Sequence, residues 1–193
     1  MPKIVLFCSV SLDGHFEGVD RDISWSRVDE EVHRHFNAEL DRLGGFVSGR
    51  VTHELMADYW PTAESDPDAT PAMLEFARIW RDKPKTVFSR TLRRADWNTT
   101  VVSEVTPETV AALKAGAAGD LSLSGGELAA AFRALDLIDE YRIYVHPVLL
   151  GRGRQLFPVT DTPADLELLD TRRFTNGVVL LHYARAAPSG SNA

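Results

Sequence analysis

The sequence has a single cysteine, no long apolar run and no excess of positive charge. Cys8 cannot form an internal disulfide, and its place in an apolar run is typical of a buried core residue. No apolar segment approaches the roughly 20 residues that span a bilayer, and residues 4–10 are too short for a secretory signal. The net charge of −7 argues against general nucleic-acid binding. We therefore expect a cytoplasmic protein that binds neither membranes nor nucleic acid.

Several catalytic motifs are also absent. The chain has no Gly-Lys-Ser/Thr phosphate loop and no Gly-x-Ser-x-Gly elbow of an α/β-hydrolase. The segment at residues 151–154, Gly-Arg-Gly-Arg, lacks the third glycine of a dinucleotide fingerprint. The histidines are scattered, and His33 and His35 are two positions apart, so they do not share a helix face. We predict no metal site.

What is present is an alternation of strand-like and helix-like segments, in a chain long enough for one domain with a sizeable core. We expect an α/β fold: a single domain over residues 1–186 with a central mixed, mainly parallel sheet flanked by helices. Asn176-Gly177 predicts an antiparallel C-terminal hairpin. Residues 11–25 and 59–69 read as loops, and residues 187–193 as a disordered tail. Strands are predicted at 3–10, 46–48, 85–89, 100–103, 121–124 and 141–145, and helices at 28–43, 51–56, 71–81, 107–114 and after Gly126.

Three predicted strands end in similar chemistry. The segments at residues 48–50 (Ser-Gly-Arg), 88–90 (Phe-Ser-Arg) and 124–126 (Ser-Gly-Gly) place small residues, a hydroxyl or a cation where a strand stops. Ligands of open α/β sheets bind beyond the carboxyl ends of strands, and helix N-termini attract anions. Basic residues cluster at 83–94 and at Arg152 and Arg154. Together these features predict a phosphate-rich ligand, although each one alone is also typical of a plain turn or a surface ion pair.

Acidic and aromatic residues near the same strand ends are candidates for contact with a substrate. Asp13 follows the first strand and could orient a substrate or relay a proton; the alternative is an Asx turn before Gly14. Phe16, Trp25 and Trp60 could line an apolar slot for a flat ring, or could simply pack in the core.

The sequence resembles the dihydrofolate reductase-like superfamily, and within it the stand-alone bacterial proteins similar to the reductase domain of riboflavin biosynthesis. The resemblance runs in order over about residues 2–185. Its segments are SVSLDG at 9–14, VSGRVT at 47–52, KTVFSRTL at 85–92, SGGEL at 124–128, LIDEY at 137–141 and HPVLLG at 146–151. The His/Cys zinc signature of the deaminase domain that often accompanies that reductase is absent.

This resemblance implies NADPH as the cofactor. It implies that residues 49–52 contact the pyrophosphate or the adenosine phosphate, that Ser89 and Arg90 bind the 2′-phosphate, and that residues 124–128 flank the pyrophosphate and the nicotinamide. Val10 and Leu12 would lie against the nicotinamide. The implied cofactor-binding residues are Val10, Leu12, Gly49, Arg50, Val51, Thr52, Ser89, Arg90, Ser124, Gly125, Gly126, Glu127 and Leu128.

The resemblance also implies a function. We expect an NADPH-dependent reductase of a small heterocyclic or ribosylated pyrimidine or pterin-like substrate, similar to 5-amino-6-(5-phosphoribosylamino)uracil reductase. Two alternatives stay open: a dihydrofolate-type reductase, and an NADPH-binding module without turnover. The family also allows a homodimer.

Overall fold

The computed structural model describes residues 1–160 and 163–186; the tail predicted at 187–193 lies outside these residues. The strands are β1 (Ile4–Ser11), β2 (His15–Glu17), β3 (Gly45–Gly49), β4 (Lys85–Phe88), β5 (Thr99–Val102), β6 (Leu121–Ser124), β7 (Glu140–His146), β8 (Arg154–Gln155), β9 (Leu166–Arg173) and β10 (Val179–Arg185). The helices are α1 (Glu30–Asp41), α2 (Arg50–Tyr59), α3 (Pro71–Asp82), α4 (Pro107–Gly116) and α5 (Gly126–Ala134), with 3-10 turns at Val19–Arg21 and Trp60–Ser65.

Eight strands form one central sheet in the order β5-β4-β3-β6-β1-β7-β10-β9. The first six are parallel, and β10 and β9 add an antiparallel pair at one edge. The hairpin turns at Gly177, whose φ of 89° is a conformation that glycine adopts readily. The predicted α/β fold, with its mainly parallel sheet and C-terminal hairpin, is confirmed.

Both faces of the sheet are covered, which explains why β1 is apolar at successive positions. Ile4, Val5 and Leu6 are fully buried in the middle of the sheet. On one face the core includes Leu128 and Phe132 of α5. On the other face Phe7 of β1 packs beneath α1. The carboxyl ends of the six parallel strands therefore share one edge of a rigid, doubly covered sheet.

The segment at residues 11–25, predicted to be a loop, contains a strand. β2 pairs with β8 in a separate two-stranded ribbon, with His15 opposite Gln155. The predicted loop at 59–69 likewise contains the 3-10 turn Trp60–Ser65. Both differences concern short elements, whose few residues give a weak periodic signal.

The basic residues at 83–94 do not share one role. The first two lysines bond to backbone carbonyls and do not contribute to an anion site. The Nζ atom of Lys85 donates to the carbonyls of Trp80 (2.5 Å), in the last turn of α3, and of Lys83 (2.7 Å), just after it, and its side chain is buried. The Nζ atom of Lys83 donates to the carbonyls of Asp41, the last residue of α1, and of Leu43, two residues later. These lysines satisfy the carbonyls that a helix end leaves free.

Candidate functional site

Two helices begin side by side at the carboxyl edge without a capping side chain. α2 starts at Arg50 directly after β3, and α5 starts at Gly126 directly after β6. Their N-cap residues are Gly49 and Gly125, and neither helix has a side-chain cap. The parallel register sets Ser48 opposite Ser124, so the two N-termini are neighbours. Free N–H groups and the positive ends of two helix dipoles therefore meet at one place.

The other three helices are capped by their own sequence. Asp29 accepts from the N–H of Val32 at the start of α1, and Thr70 accepts from the N–H of Met73 at α3. At α4, Thr106 forms a reciprocal capping box. The pair of uncapped helices is thus a local feature of β3 and β6, and both strand ends were predicted to bind phosphate.

The turn at Gly125 fits closely against the start of α2. Gly125 has a φ of 92°, and a Cβ atom added there would lie 2.6 Å from Oγ1 of Thr52. A Cβ at Gly49 would lie 4.0 Å from Cβ of Leu128. The fold therefore brings together Gly49, Thr52, Gly125 and Leu128, which the sequence assigned to one ligand from separate segments.

The space beside the Cα atom of Gly126 is occupied by another side chain of the protein. A Cβ atom at this position would collide with the ring of Phe16, which lies against the first turn of α5. The guanidinium carbon of Arg154 lies 5.3 Å from the centroid of the same ring and pairs with Glu127 and Glu17. The absence of a side chain at Gly126 is therefore explained by packing against Phe16.

The two predicted phosphate-binding arginines differ in their surroundings. Nη1 of Arg50 donates to both carboxylate oxygens of Glu54, at 3.0 and 2.7 Å, on the exposed side of α2. This is the surface ion pair that the sequence left open as an alternative. Arg90 is exposed and forms no ion pair within the described part of the chain. The hydroxyl of Ser89 accepts from the N–H groups of Thr91 and Leu92, so it closes a turn after β4.

Asp13 connects two loops at the carboxyl edge. Its carboxylate accepts from the Ser11 hydroxyl (2.6 Å) and from the N–H groups of Leu150 (3.1 Å) and Gly151 (2.7 Å). These hydrogen bonds, first that of Ser11 and then those of Gly151 and Leu150, hold the pKa of Asp13 well below its usual range. The ionised carboxylate therefore holds the loop after β1 against residues 150 and 151, and its role toward a substrate stays a prediction.

The two residues implied to contact the nicotinamide lie at the end of β1 in different environments. Val10 is buried in the core beneath α5, and Leu12 is 64% exposed just past the strand. The N–H of Leu12 donates to the carbonyl of Val148. Val51 is half-buried in the first turn of α2.

The three aromatic residues proposed for a common slot do not come together. Trp60 packs against Phe76 of α3, with ring centroids 4.5 Å apart, in the core beneath α1. Phe16 lies at the start of α5, as described above. Trp25 lies beside His146, with ring centroids 5.5 Å apart and an interplanar angle of 90°. They occupy three separate places, and only Phe16 lies against a predicted cofactor-binding residue.

An open cleft of about 720 Å³ lies between α5 and the β2–β8 ribbon. Its lining includes Phe16, Gly126 and Glu127 from the predicted site, together with His15 and Arg152. Gly49, Arg50 and Thr52 do not line it. The first turn of α5 therefore contacts both this cleft and the start of α2.

Sequence reasoning missed His146, the last residue of β7. Its imidazole is fully buried, and its Nδ1 atom accepts from the N–H of Arg27 (2.9 Å). Its Nε2 atom is buried without a hydrogen-bond partner among the described residues. Burial lowers the pKa of His146 to about 4, which keeps the ring neutral at pH 7. Its place at the end of a predicted strand, level with Ser11, was the available signal.

Residues 1–160 and 163–186 contain neither a cluster of metal ligands nor a membrane-spanning helix. No group of three or more His, Cys, Asp or Glu side chains there is arranged to hold a metal ion. No helix in the same residues is both long and apolar enough to cross a membrane.

Comparison with known proteins gives consistent matches over nearly the whole chain. Residues 2–180 match the family model for the RibD C-terminal domain. Protein YyaP of Bacillus subtilis (strain 168) is 34% identical over 94% of each chain. A crystal structure named "Putative riboflavin biosynthesis protein" from Shewanella sp. PV-4 superposes with a TM-score of 0.73 at 23% identity, covering 96% of this chain and 99% of that one. A Thermotoga maritima diaminohydroxyphosphoribosylaminopyrimidine deaminase/5-amino-6-(5-phosphoribosylamino)uracil reductase gives a TM-score of 0.66 at 13% identity, covering 96% of this chain and 57% of that one.

Proposed function

We propose, starting from the fact that the chain belongs to the RibD C-terminal domain family, that it is an NADPH-dependent reductase of a small heterocyclic substrate. The substrate class that we favour is a ribosylated pyrimidine or a pterin-like ring, as in 5-amino-6-(5-phosphoribosylamino)uracil reductase. The observation that carries the proposal is the pair of uncapped helix N-termini at Gly49 and Gly125. When bound, NADPH supplies the hydride for such a reduction.

The donor set at this edge suits a pyrophosphate. The first turns of α2 and α5 offer backbone N–H groups that no side chain caps. Thr52 adds a hydroxyl beside Gly125. Arg50 keeps guanidinium N–H groups beyond those bonded to Glu54, so it can bind phosphate without losing that pair. We infer that the cofactor's phosphates lie across the two N-termini.

Selectivity for the 2′-phosphate is assigned to Arg90 in this proposal. Arg90 follows β4, the next strand outward from β3, and it is exposed without an ion pair in the described residues. Because its charge is not already neutralised, it can respond to the extra phosphate that distinguishes NADPH from NADH. Ser89 contributes by closing the turn that places Arg90.

The proposal is tested by thermal unfolding with NADPH or NADH at equal concentration. A ligand at 100 times its Kd adds about 2.7 kcal/mol to the free energy of unfolding, which is a rise of roughly 5–10 °C for a domain of this size. We expect that rise with NADPH and a smaller one with NADH. No rise with either nucleotide contradicts the dinucleotide site, and equal rises contradict the role of Arg90.

Turnover separates the reductase from the two alternatives. The assay follows substrate-dependent loss of NADPH absorbance with 5-amino-6-(5-phosphoribosylamino)uracil and, separately, with dihydrofolate. Faster oxidation with the uracil supports the proposed class, and faster oxidation with dihydrofolate supports a dihydrofolate-type reductase. NADPH binding without oxidation in either case indicates a binding module.

A homodimer and a cytoplasmic location belong to the same proposal. The edge strand β9 is exposed along its whole length, with Leu166, Leu168 and Leu169 at 40%, 54% and 46% exposure. The outer side of β9 has no neighbouring strand in the sheet, and such an edge is a surface on which a second copy can pair. The mass in solution is measured by light scattering. A mass of one chain contradicts the dimer, and a dimer mass that Leu168→Lys leaves unchanged contradicts pairing through β9.

A further inference from the structure

His146 is a buried hydrogen-bond donor without an acceptor. Its exposed fraction is zero, and among the described residues the only hydrogen bond of the imidazole is the one from the N–H of Arg27 to Nδ1. Because Nδ1 accepts, the proton of the neutral ring is on Nε2. That N–H group has no partner among the described residues. Such a group carries the full cost of its lost hydration, and in a native protein it calls for a specific partner.

The place of His146 in the sheet is next to the candidate site. It ends β7 level with Ser11 of β1, and β1 lies between β7 and β6, the strand that leads into α5. Asp13, two residues after Ser11, ties that loop to residues 150 and 151 beyond His146. The unpaired Nε2 atom therefore belongs to the edge at which the ligand of the proposed function would bind.

The cover over His146 is anchored at one end. The carbonyl of Arg27 accepts from Nδ2 of Asn176, while its N–H donates to His146. The preceding segment, residues 22–26, is bonded mainly within itself: the N–H groups of Ser24 and Ser26 donate to Asp22 and Ile23. Trp25 makes an edge-on ring contact with His146, and its Nε1 donates to the carbonyl of Asp22 in the same segment (3.0 Å). Displacement of residues 22–26 as a unit would open a path to Nε2, while the anchor at Arg27 keeps the imidazole in its orientation.

We propose that the Nε2–H group of His146 donates to a carbonyl oxygen of a flat heterocyclic ligand that binds beneath Trp25. A neutral donor suits an uncharged acceptor, and the indole ring provides an aromatic wall for a planar group. This rests on the proposed function, since it names the residue that recognises the substrate ring. It assigns His146 the role of a specificity residue and requires no proton transfer from it.

Two variants separate the two nitrogens of His146. The amide of His146→Asn can reproduce the Nδ1 position, which accepts from Arg27, but it does not reach the position of Nε2. The amide of His146→Gln reaches the Nε2 position as a donor and loses the acceptor for Arg27. The probe is 5,6-diaminouracil, a uracil with two carbonyl oxygens, titrated by calorimetry with and without NADPH. We expect about tenfold weaker binding to His146→Asn, and binding to His146→Gln within about threefold of the wild type.

A measurement on the unmodified protein keeps the test valid if either variant fails to fold. In ¹⁵N-histidine-labelled protein, the Nε2–H resonance of His146 should shift when 5,6-diaminouracil is added. The proposal is overturned if the base binds without moving that resonance, which would leave a buried water as its partner. It is also overturned if His146→Asn folds and binds the base as tightly as wild type, or if the wild type does not bind the base.

The outcome is separable from that of the proposed function. Base binding that depends on His146, in a protein that NADPH does not stabilise, supports this inference and contradicts the reductase proposal. Stabilisation by NADPH without any binding of the base supports the dinucleotide site and contradicts this inference.

Discussion

The two edges of the central sheet handle their polar groups in opposite ways. At the amino edge, the carboxylate of Glu140 pairs with Lys3 (2.5 Å) and His182 (2.9 Å), and Lys114 pairs with Asp139 (2.5 Å). Lys83 and Lys85 cover helix-end carbonyls there. These groups find their partners within the chain.

The carboxyl edge keeps several strong donors without partners. The N-termini of α2 and α5 lack side-chain caps, and Nε2 of His146 is buried without an acceptor among the described residues. Buried polar groups of folded proteins are nearly always paired. The contrast supports the proposal that a ligand would supply the missing partners at the carboxyl edge.

The largest expected effect lies at the amino edge. Lys85→Met removes the donor to the carbonyls of Trp80 and Lys83, which leaves two acceptors without their partner. We expect the free energy of unfolding in urea to fall by about 3–4 kcal/mol. Arg93→Met, at an exposed position, is the control and should change it by less than about 0.5 kcal/mol. If folded Lys85→Met binds NADPH more weakly than the wild type, the assignment of Lys85 to stability alone is contradicted.

The next prediction concerns acid sensitivity at the carboxyl edge. The folded-state pKa of His146 is lowered to about 4 from an ordinary value of about 6.5. The unfolded chain therefore binds the proton more readily between these values, and stability is lost as the pH falls through that window. Relative to pH 7, wild type at pH 4 should lose about 3 kcal/mol more than His146→Asn. Parallel pH profiles for the two proteins in urea unfolding would contradict this.

A smaller effect tests whether Gly126 serves packing. Gly126→Ala places a methyl group against the ring of Phe16 and should cost about 2 kcal/mol. In a double-mutant cycle with Phe16→Ala, the two changes should be coupled by about 1 kcal/mol or more, because the smaller side chain relieves the collision. Additive losses in urea would instead point to strain in the backbone of the turn.

The smallest effect on stability is expected at Arg50. Its ion pair with Glu54 is on the surface, and such pairs contribute little. Arg50→Ala should therefore leave the apo protein within about 0.5 kcal/mol of wild type while weakening NADPH binding about tenfold. Glu54→Ala is the matched control, since it breaks the same pair and keeps the cation. A large loss of apo stability would show that Arg50 has a structural role, as the paired residues of the amino edge do.

The sequence predicted most of what regular patterns can specify. Strong periodicity and capping signals located the helices, and Asn176-Gly177 located the hairpin. The meeting of Thr52 with Gly125 followed from placing both at strand ends on one edge. These successes depend on local signals and on the regular geometry of parallel sheets.

The rest depended on contacts between distant residues. The pairing of His15 with Gln155 joins two very short strands from opposite ends of the chain. Lys85 was read as part of a cationic surface, because nothing in its neighbours shows that it reaches back to the carbonyls at the end of α3. The unpaired atom of His146 follows from the position of Arg27, 119 residues earlier, and has no sequence pattern of its own.

The position of β1 sets an order of events during synthesis. It precedes the other described strands in the chain, and both of its neighbours, β6 and β7, come much later, after residue 120. Until residues 121–146 have left the ribosome, this strongly apolar segment has neither of its hydrogen-bonding partners. Such long-range pairing slows folding and leaves a strand edge open to wrong partners in the meantime. The nascent chain is therefore most vulnerable to aggregation before β7 emerges, and the central sheet can close only after that point.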